Sequence, residues 1–359
     1  GGLFETSRAS DALLEEAHQG LADFLGTDDS DTVVFGANMT SLTFALSRSL
    51  AKTWGPGDEI LLSRLDHDAN VTPWVLAARD AGATVRHVEI LPQDCTLDLD
   101  DLADKLSQRT RLVAVCCASN AAGTINSVEA IVRQAHDAGA LVFLDAVHFA
   151  PHGLIDVAGW GCDFLVCSAY KFFGPHVGVL WGRRELLSEL PAYKVRPAPD
   201  EIPGRWMTGT QNHEGLAGTL AAVDYLADLG RSVAPEALDR RPALEAAYRA
   251  VTVYERNLVA ELLDGLDQLG SIRIWGITDP ARFHQRVPTV AVTHARLAPH
   301  DLAEYLAGRG IFVWHGNFYA LPLTETLGLE PEGMVRIGLL HYNTSEEVER
   351  LLGALKELE

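Results

Sequence analysis

Leu141-Val142-Phe143-Leu144-Asp145 is an unbroken apolar run that ends in a carboxylate. A second run, Phe164–Ser168, leads into Cys167-Ser168-Ala169-Tyr170-Lys171-Phe172-Phe173-Gly174-Pro175, where a lysine stands among aromatic and small residues. Runs that are apolar throughout fit strands buried on both faces, as in a parallel sheet. Ligands of such sheets sit at the carboxyl ends of the strands. Asp145 and Lys171 each lie at or just past such an end.

Working outward, Thr32–Phe35, Glu59–Ser63, Thr84–Ile90, Arg111–Cys116 and Val177–Trp181 read as further strands. Between them fall helical stretches at 42–52, 71–81, 99–106 and 128–138. Leu13, Leu14, Ala17, Leu21, Phe24 and Leu25 give the opening segment helical spacing. The alternation predicts an α/β fold with a mostly parallel sheet covered on both faces. Residues 191–213, rich in Pro, Gly and polar groups, read as a long functional loop. Helices at 214–229 and 243–269 then lead to a smaller α+β unit with strands at 271–275, 289–293, 311–314 and 335–340. The expected division is a large domain over 1–240 and a small one over 241–359, with residues 1–20 available to pack on the small one.

The 49 acidic and 29 basic residues give a net charge of −20. That balance disfavours nucleic acid and anionic membrane surfaces, which need a cationic face. No apolar run reaches the roughly 18–20 residues that cross a bilayer. Five cysteines without a CxxC pair point to reduced thiols and a cytoplasmic setting. The thirteen histidines form no metal motif. The chain opens at Gly1-Gly2 with no signal-peptide pattern, so a processed or trimmed start is expected.

A lysine held in apolar surroundings has a lowered pKa, and a neutral amine can attack an aldehyde to form a Schiff base. Read alone, the Lys171 segment fits a snorkelling surface lysine equally well. Asp145 suits the protonated nitrogen of a pyridine ring, or it caps a helix. His148 is close enough to share its pocket. Gly36-Ala37-Asn38-Met39-Thr40-Ser41, between a strand and a helix, suits a phosphate but also resembles any N-cap.

The ordered set Asp66-His67-Asp68-Ala69-Asn70, Ser119-Asn120-Ala121-Ala122-Gly123-Thr124, Leu144-Asp145-Ala146-Val147-His148 and Ser168-Ala169-Tyr170-Lys171 is more specific than its parts. Thr208-Gly209-Thr210-Gln211-Asn212 and Val335-Arg336-Ile337-Gly338 complete it. From about residue 10 onward the chain resembles the class V aminotransferases, pyridoxal-phosphate (PLP) enzymes of fold type I, in their cysteine-desulfurase-like branch. The resemblance implies a short N-terminal arm before the first helix, which the expected trimmed start would remove. The resemblance implies that Lys171 carries the cofactor, Asp145 pairs with its ring nitrogen, His67 stacks on its face and His148 contacts its phenolic oxygen. It implies that Met39, Thr40, Ser168 and Tyr170 hold the phosphate, with Tyr170 where desulfurases carry His. Thr210 would reach the phosphate of a neighbouring subunit, which implies a homodimer. Asn120 and Arg336 would bind the substrate carboxylate.

The resemblance also shows where this chain departs. Tyr319 aligns with the loop cysteine of the desulfurases, and Trp314 replaces an arginine near the substrate. A tyrosine cannot accept sulfur as a persulfide. The expectation is therefore a lyase acting by C–S or other β-elimination, or a transaminase, on a small amino acid. Epimerisation and non-catalytic cofactor binding are the alternatives. Tyr319 or His315 could protonate a leaving group or merely fill space. Arg205, Trp206, Trp314, His315, Asn317 and Tyr319 are the residues expected to select the substrate.

Overall fold

The seven apolar runs of the first half become one sheet. In the computed structural model, which describes residues 2–359, its strands are β1 (Val33–Gly36), β2 (Glu59–Ser63) and β3 (Thr84–Val88). A short hairpin of β4 (Ile90–Leu91) and β5 (Thr96–Leu97) follows, and then β6 (Thr110–Cys116), β7 (Leu141–Asp145), β8 (Phe164–Ser168) and β9 (Gly178–Gly182). Their order is β1-β9-β8-β7-β6-β2-β3. All neighbours from β8 to β3 are parallel, and β9 runs against both β8 and β1. Apolar side chains fill both faces, because the sheet lies between two helical layers: Leu61, Val113, Val142 and Leu165 point to one core, and Ile60, Ala114, Phe143 and Val166 to the other. The parallel strands put their carboxyl ends on one crest.

The second unit has a four-stranded antiparallel sheet in the order β10 (Ile272–Trp275), β11 (Thr289–His294), β13 (Met334–Gly338), β12 (Trp314–Gly316). Its own core contains Leu262, Val290, Val335 and Leu351. The helix Arg240–Asp267 runs through both units. Ala243, Leu244 and Tyr248 belong to the large core, and Leu258 to Leu266 to the small one. The opening helix, Glu5–Leu25, packs along the large unit. Ala17, Leu21, Phe24 and Leu25 are buried in the large core, against the helix His213–Val233.

Two strand expectations shift. The run Thr84–Ile90 divides, because Ile90 pairs with Leu97 in the hairpin instead of extending β3. Ile311–Val313 pairs with no strand among the described residues, although Ile311 and Val313 are β-branched. Strand β12 begins only at Trp314, where the chain meets Arg336 of β13 in register. No helix is long and apolar enough to cross a membrane among the described residues.

Candidate active site

The crest of the sheet and one edge of the small unit enclose a pocket. Its lining includes Met39, Thr40, His67, Asn120, Asp145, His148, Tyr170, Lys171, Trp314, Tyr319 and Arg336. The large-unit residues, far apart in sequence, meet because each ends or follows a strand finishing on that crest. Asp145 ends β7, Lys171 lies in the short 3-10 helix after β8, and Met39 starts the helix after β1. That helix can approach the sheet only because residue 178 is glycine, since a Cβ there would lie 2.3 Å from the Asn38 carbonyl carbon. Ser168 supports the same helix end from behind, its Oγ accepting the Met39 amide at 3.2 Å.

His67 is held by a buried network. Asp66 accepts hydrogen bonds from Ser63 Oγ and from Asn70 Nδ2, the latter at 2.7 Å, and Asn70 Oδ1 accepts Trp74 Nε1–H at 2.9 Å. Burial pushes the Asp66 carboxyl up to about 8, so it is mainly neutral at pH 7. His67 Nδ1 accepts the Ala69 amide at 3.0 Å, which leaves the proton of the neutral ring on Nε2. Burial lowers the His67 pKa and favours that neutral form.

Asp145 is 5% exposed, and burial pushes its pKa up to about 6, against the opposing pull of the Val147 amide and of Lys171. Oδ1 accepts the Val147 amide at 2.8 Å, and Oδ2 accepts no hydrogen bond among the described residues. Lys171 is accessible, and it lines the pocket. Burial depresses its pKa, Arg336 adds to the effect and Asp145 opposes it. Its Nζ stands 5.3 Å from the Tyr170 ring centre and makes no hydrogen bond among the described residues. His148 is held neutral, its pKa well below the usual value through burial and then through His152, Arg336 and Lys171.

The small unit supplies the opposite wall. Arg336 donates through Nη1 to Asn120 O at 2.8 Å and stacks its guanidinium 4.5 Å from the Phe318 ring centre. Asn120 Nδ2 donates to Phe318 O at 2.8 Å, and its Oδ1 is buried without a partner among the described residues. Tyr319 lies stacked with His67, and its carbonyl accepts the Asp68 amide at 2.7 Å. Phe318 and Tyr319 have φ of 56° and 58°, a left-handed backbone that non-glycine residues rarely adopt. Trp314 is 69% exposed at the rim.

Other sequence candidates fall elsewhere. Thr210 is exposed and lines a separate cleft with Gly36, His176 and Thr208. Arg205 and Trp206 do not line the pocket. Arg205 donates through Nη1 to Ser188 O and through Nη2 to Leu190 O at 2.9 Å, while its buried Nε has no partner among the described residues, and Trp206 Nε1 donates to Leu187 O at 2.8 Å. His315 meets His300 edge-on instead of the pocket, and Asn317 Oδ1 shapes the loop by accepting the Tyr319 amide at 3.1 Å. Sequence reasoning missed Phe318, Cys116 and Thr289. Phe318 and Cys116 line the pocket, and Thr289 bonds to His148 at 2.8 Å. The position of Phe318 beside Tyr319 was the one available signal.

An α/β fold with a lysine, a buried carboxylate and an arginine converging on its crest defines a class of enzyme scaffold, and comparison with known proteins places it. Residues 2–351 match the family model for class-V aminotransferases. The chain is 31% identical to a cysteine desulfurase of Pectobacterium atrosepticum, over 99% of this chain and 85% of the relative. A cysteine desulfurase of Klebsiella pneumoniae is also 31% identical, with the same coverage. Among solved structures, the apo cysteine desulfurase of Thermococcus onnurineus superposes with a TM-score of 0.88 at 28% identity, covering 99% of this chain and 86% of that one. A cysteine desulfurase of Escherichia coli gives 0.84 at 26% identity, again over 99% and 86%. This chain belongs to the class-V aminotransferase family, whose enzymes depend on pyridoxal phosphate.

The residues present fit that cofactor. A buried carboxylate with one unbonded oxygen suits a ring N–H⁺, and an amine of depressed pKa suits an aldehyde. A helix N-terminus with the Thr40 hydroxyl beside it suits a phosphate dianion.

Proposed function

We propose that this chain is a PLP-dependent enzyme that acts on a small amino acid by β-elimination, of the C–S lyase type, with transamination as the second outcome. The carrying observation is that Lys171, Asp145, Asn120 and Arg336 line one pocket whose loop position is filled by Tyr319, while every cysteine is buried. Cys116 is the one pocket-lining cysteine among the described residues, and burial holds its thiol well above the usual pKa. It is a poor thiolate nucleophile. The relatives' name, cysteine desulfurase, describes a reaction for which this pocket offers no ready thiol.

Met39, Thr40, Ser168 and Tyr170 would hold the cofactor's phosphate, Asp145 its ring nitrogen, and His67 and His148 its ring. When bound, PLP acidifies the substrate Cα–H by delocalising the electrons left behind. Lys171 Nζ, neutral once deprotonated, takes that Cα proton. Arg336 keeps donors beyond the one on Asn120 O, and its planar fork matches a substrate carboxylate. Asn120 Oδ1, buried with no donor among the described residues, suits a substrate N–H. As the Cβ–S bond breaks, the electron pair leaves with sulfur, and no protein sulfur is needed. Tyr319 and Phe318 cover His67 and Arg336 from water. We further propose that the working form is a homodimer in the cytoplasm, Thr210 of one copy reaching the phosphate in the other.

The test uses cysteine as the probe substrate. Elimination yields sulfide and pyruvate in equal amounts, and replacing all five cysteines leaves the rate unchanged. Alanine formation with sulfur retained on the protein would overturn the reading.

A further inference from the structure

We propose that Thr289 is a positioning residue that fixes His148 as its Nδ1–H tautomer, so that a small-unit side chain decides what His148 presents to the pocket. The contact joins the two units: His148 follows β7 of the large sheet, and Thr289 opens β11 of the small one. Thr289 Oγ1 lies 2.8 Å from His148 Nε2, and Thr289 is 2% exposed.

A buried hydroxyl carries one hydrogen and must donate it to something or lose a hydrogen bond. Among the described residues, His148 Nε2 is the one partner of the Thr289 hydroxyl. The hydroxyl therefore donates and Nε2 accepts. A neutral imidazole with an acceptor at Nε2 carries its proton at Nδ1. His148 is neutral here, with burial as the main cause. Nδ1 makes no hydrogen bond among the described residues, so its N–H remains for an acceptor oxygen held in the pocket.

The backbone around Thr289 is clamped to match. Its carbonyl accepts Arg286 Nη2 at 2.6 Å. Gly123, at φ +78°, lets the large unit approach so closely that a Cβ would stand 2.3 Å from the Thr289 oxygen. Val287 N donates to Gly123 O at 2.8 Å on the same seam. Behind His148, His152 packs edge-on at 5.6 Å and bonds Glu255 at 2.8 Å. Seating of the small unit is thereby tied to the hydrogen-bond character of a pocket residue. That the acceptor is the phenolic oxygen of PLP rests on the function proposed above; the tautomer does not, so the two can fail separately.

The experiment is ¹⁵N NMR of the cofactor-free protein at a pH where His148 is neutral. Wild type and Thr289→Ser are expected to show protonated Nδ1 and acceptor Nε2 at His148. Thr289→Val, nearly isosteric but without a donor, is expected to shift the ring toward Nε2–H. The same variant should bind PLP about fivefold more weakly in a spectral titration, the worth of one neutral hydrogen bond. In a His148→Gln background, Thr289→Val should cost no further affinity. Nε2–H in wild type, an unmoved tautomer in Thr289→Val, or an equal loss in the His148→Gln background would each overturn the proposal.

Discussion

The imidazole of His67 and the phenol ring of Tyr319 lie stacked, 5.4 Å between centres and 25° between planes. Tyr319 is 72% exposed, and its hydroxyl makes no hydrogen bond among the described residues. Its ring makes the contact with His67. Tyr319→Phe is therefore expected to keep kcat and KM within about twofold. Loss of a positioned general acid would instead lower kcat by ~10²-fold or more. Steady-state kinetics of pyruvate release separates the two, and a hundredfold fall in kcat would make the phenol an acid.

Tyr319 also holds a left-handed backbone, a conformation that costs an L-residue roughly 1–2 kcal/mol. Tyr319→Gly removes that strain along with the stacking. It should leave thermal stability unchanged or raised by a few degrees in a melting curve, while KM rises as the cover over His67 is lost. A destabilised variant would contradict the strain argument.

Asp145 makes the cofactor-free protein sensitive to pH. The carboxyl titrates at 3.8 when unperturbed and at about 6 in the fold, with burial as the cause. Between those values the folded protein holds a proton that the unfolded chain has released, so its stability falls as pH rises. Above pH 6 the deficit is constant, on the order of 3 kcal/mol. Asp145→Asn keeps an acceptor for the Val147 amide and has no such deficit. Denaturant titrations of the cofactor-free proteins should show the variant more stable above pH 6, with the gap closing towards pH 4, and PLP affinity should fall in parallel. Wild type gaining on the variant as pH rises would contradict this.

Arg336 has one N–H committed to Asn120 O and its face covered by Phe318. Arg336→Lys keeps the charge but loses the fork. A charge-assisted hydrogen bond contributes about 1.5–3 kcal/mol, so KM for an amino-acid substrate should rise about ten- to a hundredfold. Amines lacking the carboxylate should be little affected. An equal effect on both would assign Arg336 to structure.

The large sheet was legible because strands buried on both faces, such as Leu141–Asp145 and Phe164–Ser168, appear as continuous apolar runs with no competing period. The helix Leu321–Thr326 was not, because six residues with a proline in the first turn carry no helical repeat. Strand β12 was misjudged because Ile311 and Val313 favour strand intrinsically, while pairing with Arg336 decides where the strand starts. Lys171 and Asp145 stood out by their places after apolar runs. Thr289 left no trace, since its bond to His148 crosses 141 residues of sequence and joins two separate sheets. Arg205 and Trp206 looked like ligand groups in a polar loop, yet nothing local revealed that Arg205 Nη2 would bond the Leu190 carbonyl and Trp206 Nε1 that of Leu187.

The central claim is that the amine of Lys171 carries the cofactor opposite Asp145. Borohydride reduction of the PLP-loaded protein, followed by peptide mass mapping, tests it directly. The account predicts the pyridoxyl mass on the peptide containing Lys171 and on no other, and no retained chromophore in Lys171→Ala. Label on a different lysine, or an unchanged bound chromophore in that variant, would contradict it.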